Sequence, residues 1–285
     1  MRVLVTGASG MLGSAIVKRW AERHDVYATG GHALSAPWRY RAFDLAQPDH
    51  APLIAWAQPE LIVHCAAWTA VDACERDPER ALDINGRSVE RLLAAAPDAR
   101  MIYISTDAVF GDRTAPLVET DAPGPINAYG RSKLVGESFV GERGVIVRTT
   151  VVGWNIDPHK QSFIEWIVRS LEKSERITLF TDTLFNPMAA TLFADELEHL
   201  VTARGCWHIG GHDAQSKYDF GVALCDQLHL DRGLIAEGRI ADARFAARRS
   251  ADQRLSVASY ERAFGRRLPT CAETIAALVR DRTGT

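Results

Sequence analysis

Tyr129 and Lys133 are two residues whose types and spacing indicate proton-transfer chemistry. They lie four positions apart in the segment NAYGRSK, so a helix there would place both side chains on one face. Tyrosine has an unperturbed pKa of about 10, which makes it a poor acid or base at neutral pH, but a nearby ammonium favours the phenolate and lowers that pKa. The pair therefore predicts a proton donor or acceptor, Tyr129, whose pKa is tuned by Lys133.

A third polar group follows the apolar segment RMIYIST. Ser105 and Thr106 end this segment, whose β-branched and aromatic residues predict a strand. Ligands of open α/β sheets collect at the carboxyl ends of the strands. We therefore expect a hydroxyl here to hydrogen-bond a substrate oxygen while Tyr129 transfers the proton.

The segment VTGASGMLG has the spacing of a phosphate-binding turn. Gly7, Gly10 and Gly13 lie between a predicted strand and a predicted helix. Glycine at these positions permits a tight turn, close approach of the backbone to a pyrophosphate, and close packing of the helix on the strand. The helix N-terminus also offers free N–H groups and the positive end of its dipole to phosphates. We predict that this turn binds a dinucleotide cofactor.

The choice between NADP and NAD depends on the segment after the second predicted strand, DVYATG. An acidic side chain at the end of that strand would bind the ribose hydroxyls of NAD, and none is present there, while His32, Arg39 and Arg41 follow. The sequence thus mildly favours NADPH and leaves NADH open. Asp44 is a candidate partner for the adenine amino group, or else a cap of the following helix.

Alternating strands and helices must position these residues. Strands are predicted in the segments RVLVTG, DVYATG, LIVHCAA, RMIYIST and GVIVRTT, and helices at 11–23, 50–57, 77–96 and 127–142. This alternation indicates βαβ units and an α/β fold with a Rossmann-type doubly wound parallel sheet and a smaller C-terminal substrate-binding domain. We expect 1–155 to be the NAD(P)-binding domain and 156–285 the substrate domain. Residues 185–212 are expected to return to the first domain, through a helix near 189–203 and the strand-like CWHIGG.

Composition and charge argue against several classes of protein. A formal net charge of −3 over 285 residues gives no electrostatic case for binding nucleic acid or an anionic membrane. No apolar run approaches the roughly 18 residues that span a bilayer. The five cysteines show no CxxC spacing, so we expect a reduced, cytoplasmic setting.

Several motifs together resemble the extended short-chain dehydrogenases/reductases, and within them the dTDP-4-dehydrorhamnose reductase-like (RmlD-like) family. They are TGASGMLG, HCAAWTAVDACERDPERALDIN, YISTDAVFGD, APGPINAYGRSKLVGE and RTTVVG, and a looser similarity continues through FNPMAATLFADEL and RRSADQRLS. The resemblance implies hydride transfer from NAD(P)H to C4 of a nucleotide-linked 4-keto-6-deoxy sugar, with Thr106, Tyr129 and Lys133 catalytic. With the glycine turn, it implies cofactor contacts at Gly7, Ser9, Gly10, Met11, Leu12, Gly13, Asp44, Leu45, Cys65, Ala66, Ala67, Tyr129 and Lys133.

Positions that would contact the sugar depart from the family pattern. Ala108 stands where the family usually has Tyr, and Val151 stands where the reductases have Trp. Relatives with a magnesium-linked dimer carry a Glu where this chain has Ala15, so we predict no metal site. The cofactor and proton-transfer motifs are intact, which indicates the same chemistry on a different sugar nucleotide.

Candidate substrate contacts have weaker support. They are Trp68, Asp107, Trp154, Asn186 and Arg249. Lys160, Arg248 and Arg249 are candidates for the substrate's diphosphate, because cationic side chains suit phosphate, although each is equally well explained as a surface charge.

Four further residues are predicted to have structural roles. His64 ends an apolar strand and reads as a core histidine, and Arg148 reads as an organiser of the core. Asn85 occupies a family position that braces neighbouring strands, and Cys65 is expected to be an inert buried thiol.

Two rival functions stay open. An epimerase or dehydratase on the same scaffold needs another acid or base facing the sugar, for which STDAVF offers only Asp107. A non-catalytic, cofactor-binding regulatory subunit is kept open by Ala108 and Val151, while Tyr129 and Lys133 argue against it. The expected partner is a nucleoside-diphosphate sugar, without nucleic acid or membrane, and a homodimer is left open.

Overall fold

The computed structural model of the chain describes residues 1–113 and 116–283. The strands are β1 Arg2–Thr6, β2 Asp25–Gly30, β3 Tyr40–Ala42, β4 Leu61–His64, β5 Arg100–Ile104, β6 Gly144–Thr149, β7 Val151–Val152, β8 Ile177–Phe180, β9 Leu184–Phe185, β10 Met188–Ala189, β11 Gly205–Ile209, β12 Gln215–Ser216 and β13 Ile235–Gly238. The α-helices are α1 Met11–Trp20, α2 Ala51–Ala57, α3 Val71–Arg76, α4 Pro78–Leu82, α5 Ser88–Ala95, α6 Ala128–Val140, α7 Phe163–Glu172, α8 Ala190–Leu197, α9 Lys217–Gln227, α10 Ala258–Phe264 and α11 Cys271–Thr283. Within the described residues, no helix has the length and apolar character needed to cross a membrane.

One seven-stranded sheet organises the chain, in the order β11-β6-β5-β4-β1-β2-β3. Every neighbouring pair in it is parallel. The strand order reverses between β1 and β4, and ligands of such sheets bind at this switch point, beyond the carboxyl ends of the strands. The predicted α/β fold with a doubly wound parallel sheet is confirmed.

Both faces of the sheet are covered by helices. Val3 and Val5 of β1 pack with α1 and α8 on one face, whereas Leu4 and Ile62 pack with α2 and α5 on the other. Because both faces are buried, these strands need apolar residues at successive positions, which explains the continuous apolar runs in the sequence.

The C-terminal third supplies both an edge of the sheet and a separate layer. β11 pairs with β6 in parallel at the sheet edge, and α8 packs with α1. Elsewhere β8 and β13 form a small parallel sheet, against which α7 and α9 pack. The division into two domains at residue 155 stays a prediction.

The helical segment predicted at 77–96 has three pieces. α4 is followed by a π-helical turn, Asp83–Arg87, and then by α5. Asp77 caps α4 by accepting a hydrogen bond from the Arg80 amide at 3.1 Å. β3 and α3 were not predicted, because three and six residues are too few to show a period.

Candidate active site

The glycine turn between β1 and α1 is packed so closely that side chains are excluded. Gly7 has φ +70°, and a Cβ there would lie 2.7 Å from the Ala66 amide nitrogen. A Cβ on Gly13 would lie 2.5 Å from the Gly7 carbonyl oxygen. The turn therefore leaves a backbone-lined cradle at the switch point, of the kind that accepts a pyrophosphate.

A distant loop lies against this turn. Gly10, the N-cap residue of α1, makes no side-chain cap hydrogen bond, and the Met11 amide donates instead to Asn155 Oδ1 at 3.0 Å. The Lys160 ammonium donates to Ser9 Oγ at 3.0 Å. Lys160, a sequence candidate for the substrate's diphosphate, is thus placed at the glycine turn.

The end of β4 forms the second wall of the cradle. The Ala66 amide donates to Thr6 Oγ1 at 3.2 Å, and the same hydroxyl lies 2.9 Å from His64 Nδ1. Burial lowers the pKa of His64 to about 3 and raises that of the Cys65 thiol to about 12. Both side chains are therefore neutral at pH 7. His64 is fully buried, so its predicted structural role is confirmed, whereas Cys65 is only partly buried.

Helix α6 presents Tyr129 and Lys133 to the same region. Asn127 caps the helix by accepting from the Gly130 amide at 2.8 Å. A Cβ on Gly130 would lie 2.1 Å from the Ala108 carbonyl oxygen, so glycine here lets α6 approach the turn that follows β5. The predicted helix at 127–142 is observed at Ala128–Val140.

Lys133 is buried, with 2% of its surface exposed. Its ammonium lies 4.0 Å from the centre of the Tyr103 ring, a cation–π contact. Burial lowers the pKa of Lys133 from 10.5 to about 7, although Glu137 acts in the opposite direction. The side-chain amine of Lys133 is therefore only partly protonated at neutral pH.

Tyr129 packs beside Trp68 against Cys74, Ala81 and Ala128. Burial raises its pKa, and the Asp107 carboxylate raises it further, while a hydrogen bond with Thr106 acts in the opposite direction. The expectation of a lowered pKa is wrong for this structure, because desolvation dominates and the Lys133 ammonium lies on Tyr103. The phenol is consequently protonated at neutral pH, which is the state that a proton donor requires.

Thr106 is the hydroxyl that faces Tyr129. It donates to Asp107 Oδ1 at 2.8 Å, and Thr150 donates to Asp107 Oδ2 at 2.8 Å. Ser105, the other candidate from the sequence, donates to Glu137 Oε1 at 2.6 Å and is occupied there. Burial raises the pKa of Asp107, and the two hydroxyls oppose that effect.

The predicted structural roles of Arg148 and Asn85 are confirmed. Arg148 pairs with buried Glu137 through Nη2 at 2.7 Å and Nε at 3.0 Å. Asn85 accepts from the Trp68 amide at 2.7 Å and donates to Ser132 Oγ at 3.0 Å, so it links the end of β4 to α6.

Two predicted substrate contacts have polar groups that are hydrogen-bonded to other parts of the fold. Trp154 donates its indole N–H to the Leu278 carbonyl in α11 at 2.8 Å. The Asn186 amide group donates to the Gly211 and Leu255 carbonyls, both at 2.9 Å, and accepts from the Leu255 amide at 3.0 Å. Hydrogen bonds within the protein thus occupy the polar atoms of both side chains.

Asp44 and Leu45 follow β3 at the carboxyl edge of the sheet. Asp44 is exposed and accepts from the Ala46 amide at 2.9 Å, which closes a local turn, and α2 begins later, at Ala51. Arg91 donates to the Leu45 carbonyl at 2.9 Å. The Asp44 side chain therefore does not cap α2 and stays a prediction for the adenine contact.

A cavity of about 830 Å³ opens beside α7, β8 and α9. Its aromatic lining residues are Phe163, Trp166, Phe180 and Phe245, and its cationic ones include Lys217 and Arg249. Lys217 and the Asp107 carboxylate each favour the charged form of the other, although burial still lowers the pKa of Lys217. Lys217, which lines the cavity, thus interacts electrostatically with Asp107, the residue that follows Thr106.

Of the substrate contacts predicted from the sequence, Arg249 is the one that lines this cavity, and its guanidinium has an N–H donor without a partner among the described residues. Its Nη2 lies 3.2 Å from Asp72 Oδ1, and its guanidinium lies 3.7 Å from the centre of the Phe245 ring. Its buried Nη1 has no hydrogen-bond partner among the described residues. Sequence reasoning missed Lys217 and Trp166, because no local pattern marks them and distant elements bring them together.

The doubly wound parallel sheet, with its glycine turn at the switch point and Tyr129 and Lys133 on α6, defines a dinucleotide-binding type of α/β protein. No group of three or more His, Cys, Asp or Glu residues suited to a metal ion occurs in the described part of the chain. The chain belongs to the RmlD family, since the family model described as RmlD substrate binding domain matches residues 1–283.

The relatives of this chain include proteins with different names. The chain is 32% identical to the probable low-salt glycan biosynthesis reductase Agl14 of Haloferax volcanii, over 98% of this chain and 97% of that protein. It is 31% identical to the dTDP-4-dehydrorhamnose reductase of Burkholderia thailandensis, over 99% of both. It is also 30% identical to methionine adenosyltransferase 2 subunit beta of Danio rerio, over 80% of this chain and 74% of that one.

A solved structure shares the whole architecture. The crystal structure of the dTDP-4-dehydrorhamnose reductase of Bacillus anthracis in complex with NADP superposes with a TM-score of 0.87 and 25% identity. The match covers 97% of this chain and 98% of that chain.

Proposed function

We propose that the chain is an NADPH-dependent reductase of a nucleotide-linked 4-keto-6-deoxy sugar. The observation that carries the proposal is the placement of Tyr129 on α6 next to Thr106, beyond β5 on the carboxyl side of a sheet whose switch point bears the glycine turn. Reductases among the relatives, and the NADP in the Bacillus anthracis structure, support the reaction and the cofactor.

The residues present fit a dinucleotide. The cradle that a Cβ on Gly7 or Gly13 would fill is backbone-lined, and the predicted contacts at Cys65 and Ala66 line its opposite wall. The turn would hold the pyrophosphate, and Lys133 would hold the nicotinamide ribose. When bound, the cofactor supplies the hydride.

The chain's own residues would place and protonate the carbonyl oxygen. Tyr129, protonated at neutral pH, would give that oxygen the proton. Thr106 has one hydroxyl proton, which Asp107 accepts in this structure, so Thr106 would turn it from Asp107 to the carbonyl oxygen when the substrate binds. Asp107 accepts from both Thr106 and Thr150 and so holds the Thr106 side chain in place before the substrate binds. General acid catalysis of this kind accelerates a reaction by roughly 100- to 10,000-fold.

The cavity supports a sugar nucleotide as the substrate. Its volume of about 830 Å³ suits a ligand of that size. Aromatic walls at Phe163 and Trp166 would pack against the base, and Lys217 and Arg249 would neutralise the diphosphate. The spare Nη1 of Arg249 is a donor available for this purpose.

The two rival functions fit the geometry less well. An epimerase or dehydratase would need a free acid or base facing the sugar, whereas the Asp107 oxygens already accept from two hydroxyls. One relative is named as a subunit, methionine adenosyltransferase 2 subunit beta. A regulatory role for this chain is therefore the alternative outcome of the test.

The test measures oxidation of NADPH by the purified protein with dTDP-, GDP-, UDP- and CDP-linked 4-keto-6-deoxy sugars. Tyr129→Phe should lower kcat roughly 100-fold or more and leave the Kd for NADPH nearly unchanged. Tyr27→Phe, a tyrosine on β2 that packs on Trp56, is the matched control and should keep full activity. Tight NADPH binding without turnover of any sugar would favour the regulatory subunit, and undiminished activity of Tyr129→Phe would contradict the assigned mechanism.

A further inference from the structure

The two arginines that follow β2 each contact a neighbouring group of the fold. Arg39 donates to Asp25 at 2.7 Å and lies 4.5 Å from the Tyr27 ring centre. Arg41 donates to the Pro52 carbonyl at 3.1 Å.

Lys160 provides a cation from the loop between β7 and α7. Its ammonium donates to the hydroxyl of Ser9, a residue with 1% of its surface exposed, at 3.0 Å. No carboxylate among the described residues lies within ion-pair distance of that ammonium. Burial lowers the pKa of Lys160, with Asp157 opposing, and a bound anion would relieve that cost.

A ring of contacts fixes this loop to the end of β2. A Cβ on Gly30, the last residue of β2, would lie 2.8 Å from Ser9 Oγ and 2.6 Å from the Tyr40 hydroxyl oxygen, so both hydroxyls lie at the end of this strand. The Tyr40 hydroxyl donates to the His32 carbonyl at 2.7 Å. His32 Nε2 lies 2.8 Å from Asp157 Oδ2, and the Lys160 amide donates to the Asp157 carbonyl at 3.1 Å. Hydroxyl, imidazole and ammonium groups, together with the Asp157 carboxylate that His32 contacts, therefore surround the end of β2.

We propose that Lys160, supported by Ser9, Tyr40 and His32, binds the 2′-phosphate of NADPH and makes the chain prefer NADPH to NADH. In doubly wound folds the adenosine ribose lies at the end of the second strand, where an acid selects NAD and a cation accommodates the 2′-phosphate. Lysine binds phosphate as a point charge, and the neighbouring hydroxyls add donors. The inference rests on the proposed function, since it concerns the same cofactor site.

The experiment measures Kd by isothermal titration for NADPH, NADH, 2′,5′-ADP and ADP. Lys160→Met should weaken NADPH and 2′,5′-ADP binding by roughly 10- to 100-fold, the loss expected for one charge-assisted hydrogen bond. NADH and ADP should change less than about twofold, since they lack the 2′-phosphate. Lys160→Arg should keep most of the NADPH affinity, and Arg39→Gln, whose side chain is engaged elsewhere, should behave as the unmodified protein.

The outcomes separate this inference from the function on which it rests. If Lys160→Met weakened the binding of NADPH and NADH equally, the ammonium would contact the pyrophosphate instead. If it weakened the binding of neither, the ammonium would not contact the cofactor. Both results overturn the inference. Equal affinity of the unmodified protein for NADPH and NADH would also overturn it, leaving the proposed function intact. Failure of the unmodified protein to bind either cofactor would contradict the proposed function itself.

Discussion

Replacing Lys133 with methionine should change the pH dependence of stability in a direction that the structure fixes. Lys133 is 2% exposed, and its pKa is about 7 in the folded chain against an ordinary value of 10.5. Methionine has a similar length and no charge. Lys133→Met therefore removes a buried titrating group with little change in packing.

The sign of the effect follows from proton binding. Between pH 7 and 10.5 the folded chain holds fewer protons at Lys133 than the unfolded chain, so this residue makes stability rise with pH over that window. A tenfold change in protonation corresponds to about 1.4 kcal/mol, so its destabilising effect is about 4 kcal/mol at pH 7 and about 2 kcal/mol at pH 9. The stability gained by Lys133→Met should therefore shrink by about 2 kcal/mol between those two pH values.

Urea unfolding of both proteins at several pH values measures this difference. The other titrating groups are common to both chains and cancel in the comparison. Lys173→Met, which removes an exposed charge after α7, is the matched control. A difference between Lys133→Met and the unmodified chain that stays constant from pH 7 to pH 9 would refute a desolvated ammonium. The variant should also lose reductase activity, so stability and activity would move in opposite directions.

Three further variants test the support of the site and the cavity. Arg148→Leu leaves the buried Glu137 carboxylate without its ion pair and should lower the free energy of unfolding by about 3–5 kcal/mol. The double variant with Glu137→Leu should recover part of that loss, because it removes the unpaired charge. Chemical denaturation measures both variants, and equal losses of stability would argue against an uncompensated charge. Lys217→Met should raise KM for the sugar nucleotide roughly tenfold, as expected for one lost charge-assisted contact, without changing the Kd for NADPH. Steady-state kinetics and titration check this, and a change in NADPH affinity alone would contradict a contact between Lys217 and the sugar nucleotide.

Features that local physics dictates were predictable from the sequence. Strands buried on both faces require apolar runs, so the core strands were identified. The turn at Gly7 requires a residue that tolerates positive φ, and the spacing of Tyr129 and Lys133 requires only a helix. Each of these depends on a few neighbouring residues.

Features that tertiary packing decides were not predictable. Lys160 reaches Ser9 across 151 positions, and nothing in its neighbourhood marks it as a residue of the glycine turn. Trp154 turns inward because a carbonyl of α11 accepts its N–H. The direction of the Tyr129 pKa depends on how much water the folded site excludes, and the sequence carries no measure of that.

The small sheet of β8 and β13 has a consequence for altering the enzyme. It forms one wall of the cavity, and together with α7 and α9 it has a hydrophobic cluster of its own, which includes Ile167, Leu179 and Ile235. The Tyr129 helix and the glycine turn pack in other clusters. A library of variants with substitutions only in this wall would therefore vary which nucleotide sugar is accepted, while Tyr129 and the glycine turn stay the same in every variant.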